Sequence, residues 1–244
     1  MRISDVDIVK KYYHLVYVGK DNIQTSALNW TFEELKKQEA QKVLDFGCGD
    51  GRYLKTINKC NHKWFGVDLL HSPEVNRTKQ AYGNRVVYDG DRLPFNNQSF
   101  DVLFSCQVLE HVQNLQTVFE ELARVCKIGG KFIGSTSHLE PYHSNSLRSI
   151  TPYGLERMME EAGFRLERIC SGIDCFSLIC SRMFPYLLPE CLSNILNKII
   201  WSSRGSPLNR IIKLLGRIKN IDPKTLECIK LLFSGHIIFQ AVRV

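Results

Sequence analysis

In the stretch VLDFGCGDGRYL, glycines stand at alternate positions 47, 49 and 51, directly behind a short apolar run that carries Asp45. Glycine takes positive φ without a Cβ clash and lets a backbone approach a ligand, and a helix starting just beyond it offers unpaired N–H groups. This is the chemistry of a nucleotide-like cradle, although many proteins use the same turn as a turn and nothing more. Two acids extend the pattern. Asp68, in GVDLL, follows roughly 20 residues later, where a carboxylate accepts hydrogen bonds from ribose hydroxyls. Asp89, in YDGD, could receive an adenine amino proton. His111 in LEHV, His138 and His143 supply imidazoles able to act as a general base, against the plainer reading of a cap or hydrogen-bonding residue.

Such groups cooperate only if the chain brings them to one edge. Val43–Phe46 reads as a short buried strand, and GRYLKTINKC as the helix after the turn, with Tyr53, Leu54 and Ile57 at helical spacing. Further strands are predicted at KWFGVDLL, RVVYDGD and FDVLFSC, and another in IGGKFIGSTS behind a glycine turn. NLQTVFEELARVCK carries an apolar stripe of Leu115, Val118, Phe119, Leu122 and Val125, the mark of a core-facing helix. TPYGLERMMEEAGF is a helix with Pro152 near its start and Gly163 at its end. FRLERICSG and SGHIIFQAVRV complete the strands, and Thr31 with Glu34 in WTFEELKKQEA matches a capping box. Strands alternating with helices predict an α/β fold with a doubly wound, mostly parallel sheet, which binds ligands beyond the carboxyl ends of its strands. The glycines and both acids then share one edge.

The ordered motifs VLDFGCGDGRYL, GVDLL, YDGDRLPFNNQSFDVLFSCQVLEHV, ELARVCKIGGKFIGSTS and TPYGLERMMEEAGF resemble those of class I S-adenosylmethionine-dependent methyltransferases, in the branch called the methyltransferase type 11 domain. The resemblance covers roughly residues 41 to 165. It implies a Rossmann-like, seven-stranded sheet with an antiparallel last strand and S-adenosyl-L-methionine as cofactor. It further implies that Asp45, Gly47, Cys48 and Gly49 line the methionine and ribose, that Asp68 holds the ribose diol, and that Asp89 and Gly90 meet the adenine. Asp91 stands at a neighbouring, more variable acidic position. Cys106 and Gln107 would border the sulfonium. His138 and His111 are the candidate bases, and no metal ligand set is assigned. The expected organisation is one domain over 1–244, with a helical segment at 1–40, a cofactor-binding core at 41–170, a helical insertion at 175–225 and the last strand at 234–244.

Composition narrows the setting. Nine cysteines without CxxC pairs, and no charged-then-apolar leader at the start, suit a reduced, cytoplasmic protein. Evenly spaced Cys170, Cys175 and Cys180 sit among apolar neighbours and read as buried thiols. The net charge is +7, and between Glu190 and Asp222 there is no acid while Lys198, Arg204, Arg210, Lys213, Arg217 and Lys219 all fall there. Two apolar stripes share that segment: Leu192, Ile195, Leu196, Ile199 and Ile200, then Leu208, Ile211, Ile212, Leu215 and Ile218. The favoured expectation is a cap folded over the acceptor, apolar side inward. The acceptor is expected to be a small molecule or glycan methylated at oxygen. Two other readings stay open: wobble-uridine modification in transfer RNA, which the basic segment keeps alive, and a lipid or quinone acceptor met at an anionic membrane surface.

Overall fold

The computed structural model describes residues 6–18, 27–39, 41–77, 84–141, 143–201 and 206–244, so Arg204 of the basic segment lies outside it. Two helices lead in, α1 (Asp7–Tyr12) and α2 (Ala27–Lys36). The core then runs β1 (Lys42–Phe46), α3 (Leu54–Lys59), β2 (Lys63–Leu69), α4 (Pro73–Arg77), β3 (Arg85–Tyr88), β4 (Phe100–Cys106), α5 (Leu115–Val125), β5 (Cys126–Ser137), α6 (Pro152–Glu161) and β6 (Phe164–Ser171). Four helices follow, α7 (Cys175–Leu187), α8 (Glu190–Trp201), α9 (Pro207–Ile218) and α10 (Pro223–Leu232), before β7 (His236–Arg243).

The seven strands are ordered β3-β2-β1-β4-β5-β7-β6. All neighbours pair in parallel except β7, which runs antiparallel to both β5 and β6. The fold is therefore the Rossmann-like sheet with an antiparallel last strand. Side chains alternate across a strand, and both faces are dry. Leu44, Leu103, Phe132 and Phe239 join one apolar cluster, while Val43, Val102, Ile133 and Ile238 join the other. Helix α5 buries all of Leu115, Val118, Phe119, Leu122 and Val125. Helix α6 has Thr151 as its N-cap and Pro152 at its first turn, and Gly163 beyond its end takes φ 85°. Strand β5 begins earlier than the expected glycine turn: pairing jumps from Phe100 with Cys126 to Val102 with Lys131, so the glycines form a bulge within the strand, with Gly129 at φ 77°.

Two expectations fail. Thr31 does not cap a helix, because α2 begins at Ala27 and Thr31 lies inside it, fully buried. Glu34 instead contacts Lys37 and accepts from Arg168 of β6 at 3.1 Å. The second failure is larger: of the apolar stripe of α9 only Ile212 is buried and Leu208 half-buried, while Ile211, Leu215 and Ile218 stay outside. The face it buries is Asn209, Ile212 and Gly216, while Ile211, Leu214, Leu215 and Ile218 are exposed, Ile218 by 69%. Both ends of this arrangement have a physical cause. Buried Asp174 caps α7 through Ser177 and also takes the hydroxyl of Ser206, the N-cap of α9, so both helices start from one carboxylate. Further along, a Cβ on Gly216 would lie 2.5 Å from Leu226 of α10, so this glycine lets α9 press against α10 by that face. Helix α8 likewise leaves Leu192, Ile195 and Ile199 exposed and buries Ile200.

Candidate active site

The carboxyl ends of β1, β2 and β3 form one half of the site. Gly47, Gly49 and Gly51 take φ values of 75°, 53° and 74°, open to glycine at no steric cost. At Gly47 the need is doubled, since a Cβ would lie 2.4 Å from Val108. Asp68 reaches back from β2: its Oδ2 accepts from the N–H of Gly49 at 2.6 Å and its Oδ1 from that of Leu69 at 2.7 Å. Burial raises its pKa, and those backbone donors oppose the rise. A carboxylate has about four acceptor positions. With the Ser72 hydroxyl as a third donor, roughly one is left, so the carboxylate takes one ribose hydroxyl as it stands and a second where Ser72 turns away.

Asp45 is 1% exposed and accepts from the indole N–H of Trp64 at 2.9 Å. Burial pushes its pKa up to about 7, with the indole bond pulling the other way. Cys48 is buried, with its sulfur 2.7 Å from where a Cβ on Gly66 would stand, so the thiol turns into the core and only the backbone belongs to the turn. Asp89 is exposed and accepts from the N–H of Asp91 at 3.1 Å, folding the chain around Gly90 at φ 106°. Asp91 is also exposed. The LPF segment before β4 is structural. Arg124 donates to the carbonyls of Leu93 and Phe95, Glu121 accepts from the N–H of Leu93, and the Phe95 ring meets Phe100 edge-on at 4.9 Å.

The ends of β4 and β5 form the other half. Gln107 takes φ 57°, uncommon outside glycine. Its N–H donates to the Ser135 carbonyl at 3.0 Å and its Nε2 to Ser135 Oγ at 3.1 Å, while that hydroxyl donates to Cys106 Sγ at 3.4 Å. Burial raises the Cys106 thiol pKa. His138 is buried at the end of β5, and its Nδ1 has no hydrogen-bond partner among the described residues. Burial lowers its pKa from 6.5. His111 and His143 come together, ring centroids 5.3 Å apart at 81°.

Glu140 is the residue that sequence reasoning missed. It accepts from Ser137 at 2.5 Å and from Arg182 of α7 at 2.7 Å, lies 3.0 Å from His236 Nε2 and 3.4 Å from His143 Nδ1. Burial alone would raise its pKa, but the His236 contact, then Ser137 and Arg182, outweigh it and hold the carboxyl at about 2. No local signal announces this hub, because His236 is 96 positions away and Arg182 is 42.

Comparison with known proteins accords with this geometry. The family described as "Methyltransferase domain" matches residues 44–134. A sarcosine/dimethylglycine N-methyltransferase of Aphanothece halophytica is 31% identical over 65% of this chain and 66% of its own length. A tRNA (carboxymethyluridine(34)-5-O)-methyltransferase of Arabidopsis thaliana is 29% identical over 66% of this chain and 41% of its own, so the chain spans less than two thirds of these relatives. Among solved structures, a chain in the complex between the Haloferax volcanii Trm112 methyltransferase activator and a putative methyltransferase has a TM-score of 0.55 at 16% identity, covering 98% of this chain and 95% of that one.

Proposed function

Since the chain belongs to the class I S-adenosylmethionine-dependent methyltransferases, we propose that it carries a methyl group from that cofactor to an oxygen of a small-molecule or glycan-type acceptor. The residues present fit the cofactor: Gly47 and Gly49 hold the positive-φ turn, and Asp68 keeps an acceptor position for a ribose hydroxyl. Asp68 holds the ribose, Asp89 and Gly90 border the adenine, Asp45 with the backbone of Gly47, Cys48 and Gly49 lines the methionine and ribose, and Cys106 and Gln107 lie at the sulfonium end. The cofactor supplies an electrophilic methyl. The chain's own work is to hold donor and acceptor in line and to take the acceptor's proton.

The observation that carries the proton-accepting part of this reading is His138. An alcohol gives up its proton as the new bond forms, and a buried imidazole kept neutral at pH 7, with an unpartnered nitrogen, is suited to receive it. Incubation with labelled cofactor and fractionated cell extract tests the reading. Label in an ether or ester of a metabolite or glycan supports it, and label in transfer RNA overturns it.

A second reading, that the acceptor rides on a lipid, is favoured by the outward face of α8 and α9. Ile195, Ile199, Ile211, Leu214, Leu215 and Ile218 are exposed beside Lys198, Arg217 and Lys219. Apolar side chains ringed by cations match an anionic bilayer better than a phosphate backbone, which asks for charge without oil. Among the described residues no helix is long and apolar enough to cross a membrane. Label recovered in the lipid fraction supports this reading.

A further inference from the structure

We propose that Glu110, His111 and His143 form a site for a divalent transition-metal ion at the acceptor end of the sheet, where the ion would grip the acceptor oxygen. The proposal rests on the acceptor placement above, but its evidence is separate. One ligand atom from each residue lies within 4.8 Å of the others. The Glu110 side chain is fully buried, held at Oε2 by the Thr136 hydroxyl at 3.0 Å, and among the described residues its one cationisable contact is His111 Nε2 at 3.9 Å. Buried carboxylates are costly unless matched by charge or hydrogen bonds.

The hydrogen-bond count there falls short. Ser137 Oγ faces Gln107 Oε1 at 3.1 Å, Glu110 Oε1 at 3.1 Å and Glu140 Oε2 at 2.5 Å. A hydroxyl has a single proton to give, and the shortest contact takes it. Glu110 Oε1 is left with no proton from this hydroxyl and lies 3.9 Å from His111 Nε2. A metal ion supplies the positive charge that this oxygen lacks.

The surrounding layer points the same way. A metal-bound histidine characteristically turns its other ring nitrogen to a carboxylate. His143 Nδ1 lies 3.4 Å from Glu140, itself fixed by Arg182 and His236. Two imidazoles and one carboxylate suit zinc, manganese, cobalt or iron rather than calcium or magnesium, which prefer all-oxygen sites. Tetrahedral zinc at about 2.0–2.1 Å from its ligands separates them by roughly 3.3 Å. The trio must therefore draw together from its 4.8 Å spread, a movement open to the His111 side chain, which is 31% exposed. Three protein ligands leave a coordination position for a hydroxyl oxygen, whose acidity a bound cation raises.

The test uses tag-free full-length protein, stripped with chelator and titrated with cobalt(II). Visible d–d absorption saturating at one ion per chain, displaced by zinc, is the expected result. His143→Ala should weaken cobalt affinity at least about 100-fold, and Glu140→Gln about 10- to 100-fold, the range for an outer-layer partner. S-adenosylhomocysteine binding, followed by calorimetry on the same samples, should be unchanged. Absence of a cobalt spectrum in the unmodified protein overturns the proposal, as does unaltered affinity in both variants. Loss of S-adenosylhomocysteine binding by the unmodified protein would instead strike the methyltransferase reading, so the two failures are distinguishable.

Discussion

The two halves of the sheet's carboxyl edge are built on different plans. The half formed by β1, β2 and β3 is assembled from neighbours: Asp68 bonds Gly49 across 19 positions, and Asp91 bonds Asp89 across two. The half formed by β4 and β5 is assembled from strangers. Glu140 meets His236 across 96 positions, and the whole of α7 to α10 intervenes before β7 returns. A turn and the acid that braces it can be written in one contiguous stretch, whereas a cluster like that around Glu140 is pieced together from wherever the insertion leaves its ends.

The sharpest break between the halves comes from Gly47→Ala. Its Cβ would strike Val108 at 2.4 Å, at φ 75°, and strain plus overpacking should cost roughly 2–4 kcal/mol, read by denaturant unfolding. Cofactor binding should vanish with it. On the acceptor side, His138→Ala should slow single-turnover methyl transfer by about 100-fold or more while S-adenosylhomocysteine affinity stays put; an unchanged rate removes His138 from the base role. The sign of the pH effect follows from burial. Because the His138 pKa is lowered from 6.5, the neutral form persists below that pH, and the rate should fall only as pH drops through the lowered value.

Asp68→Ala divides the halves more gently, weakening S-adenosylhomocysteine about 10- to 100-fold through lost charge-assisted hydrogen bonds. Full affinity in calorimetry would refute the ribose assignment. Asp45 adds a pH signature of the cofactor half. Its folded pKa, about 7, is raised above the unfolded 3.8, so the stability it contributes is complete below about pH 4 and is lost as pH rises through 7. Asp45→Asn should flatten that slope in denaturant titrations across this range. The smallest change in stability belongs to Ile218→Glu, within about 0.5 kcal/mol for an exposed site, yet it should abolish sedimentation with anionic vesicles. Retained vesicle binding would remove the lipid-surface reading.

Helices α5 and α9 show why one half was legible and the other was not. Both carry a clean apolar stripe in the sequence. Periodicity finds a stripe and does not say what covers it. In α5 the stripe meets the sheet, because short connections on either side fix the helix between β4 and β5. In α9 a shared cap at Asp174 and the close approach at Gly216 rotate burial onto Asn209, Ile212 and Gly216, and most of the stripe points outward. The Thr31 capping box misleads for a related reason: a local signal was outbid by a helix starting earlier at Ala27.

The sequence by itself determined the strand and helix order, the sheet's parallel character, the family and the glycine turn with Asp68 at its edge. Each depends on residues near one another in the chain, whose conformational preferences act before any tertiary contact. Only the tertiary structure decided that Glu140, His236, Arg182 and His143 converge, that Cys48 turns its thiol away, and that most of the apolar and basic face of α9 points outward. Those outcomes depend on long-range packing and on where a buried carboxylate finds its partners, and no local pattern encodes them.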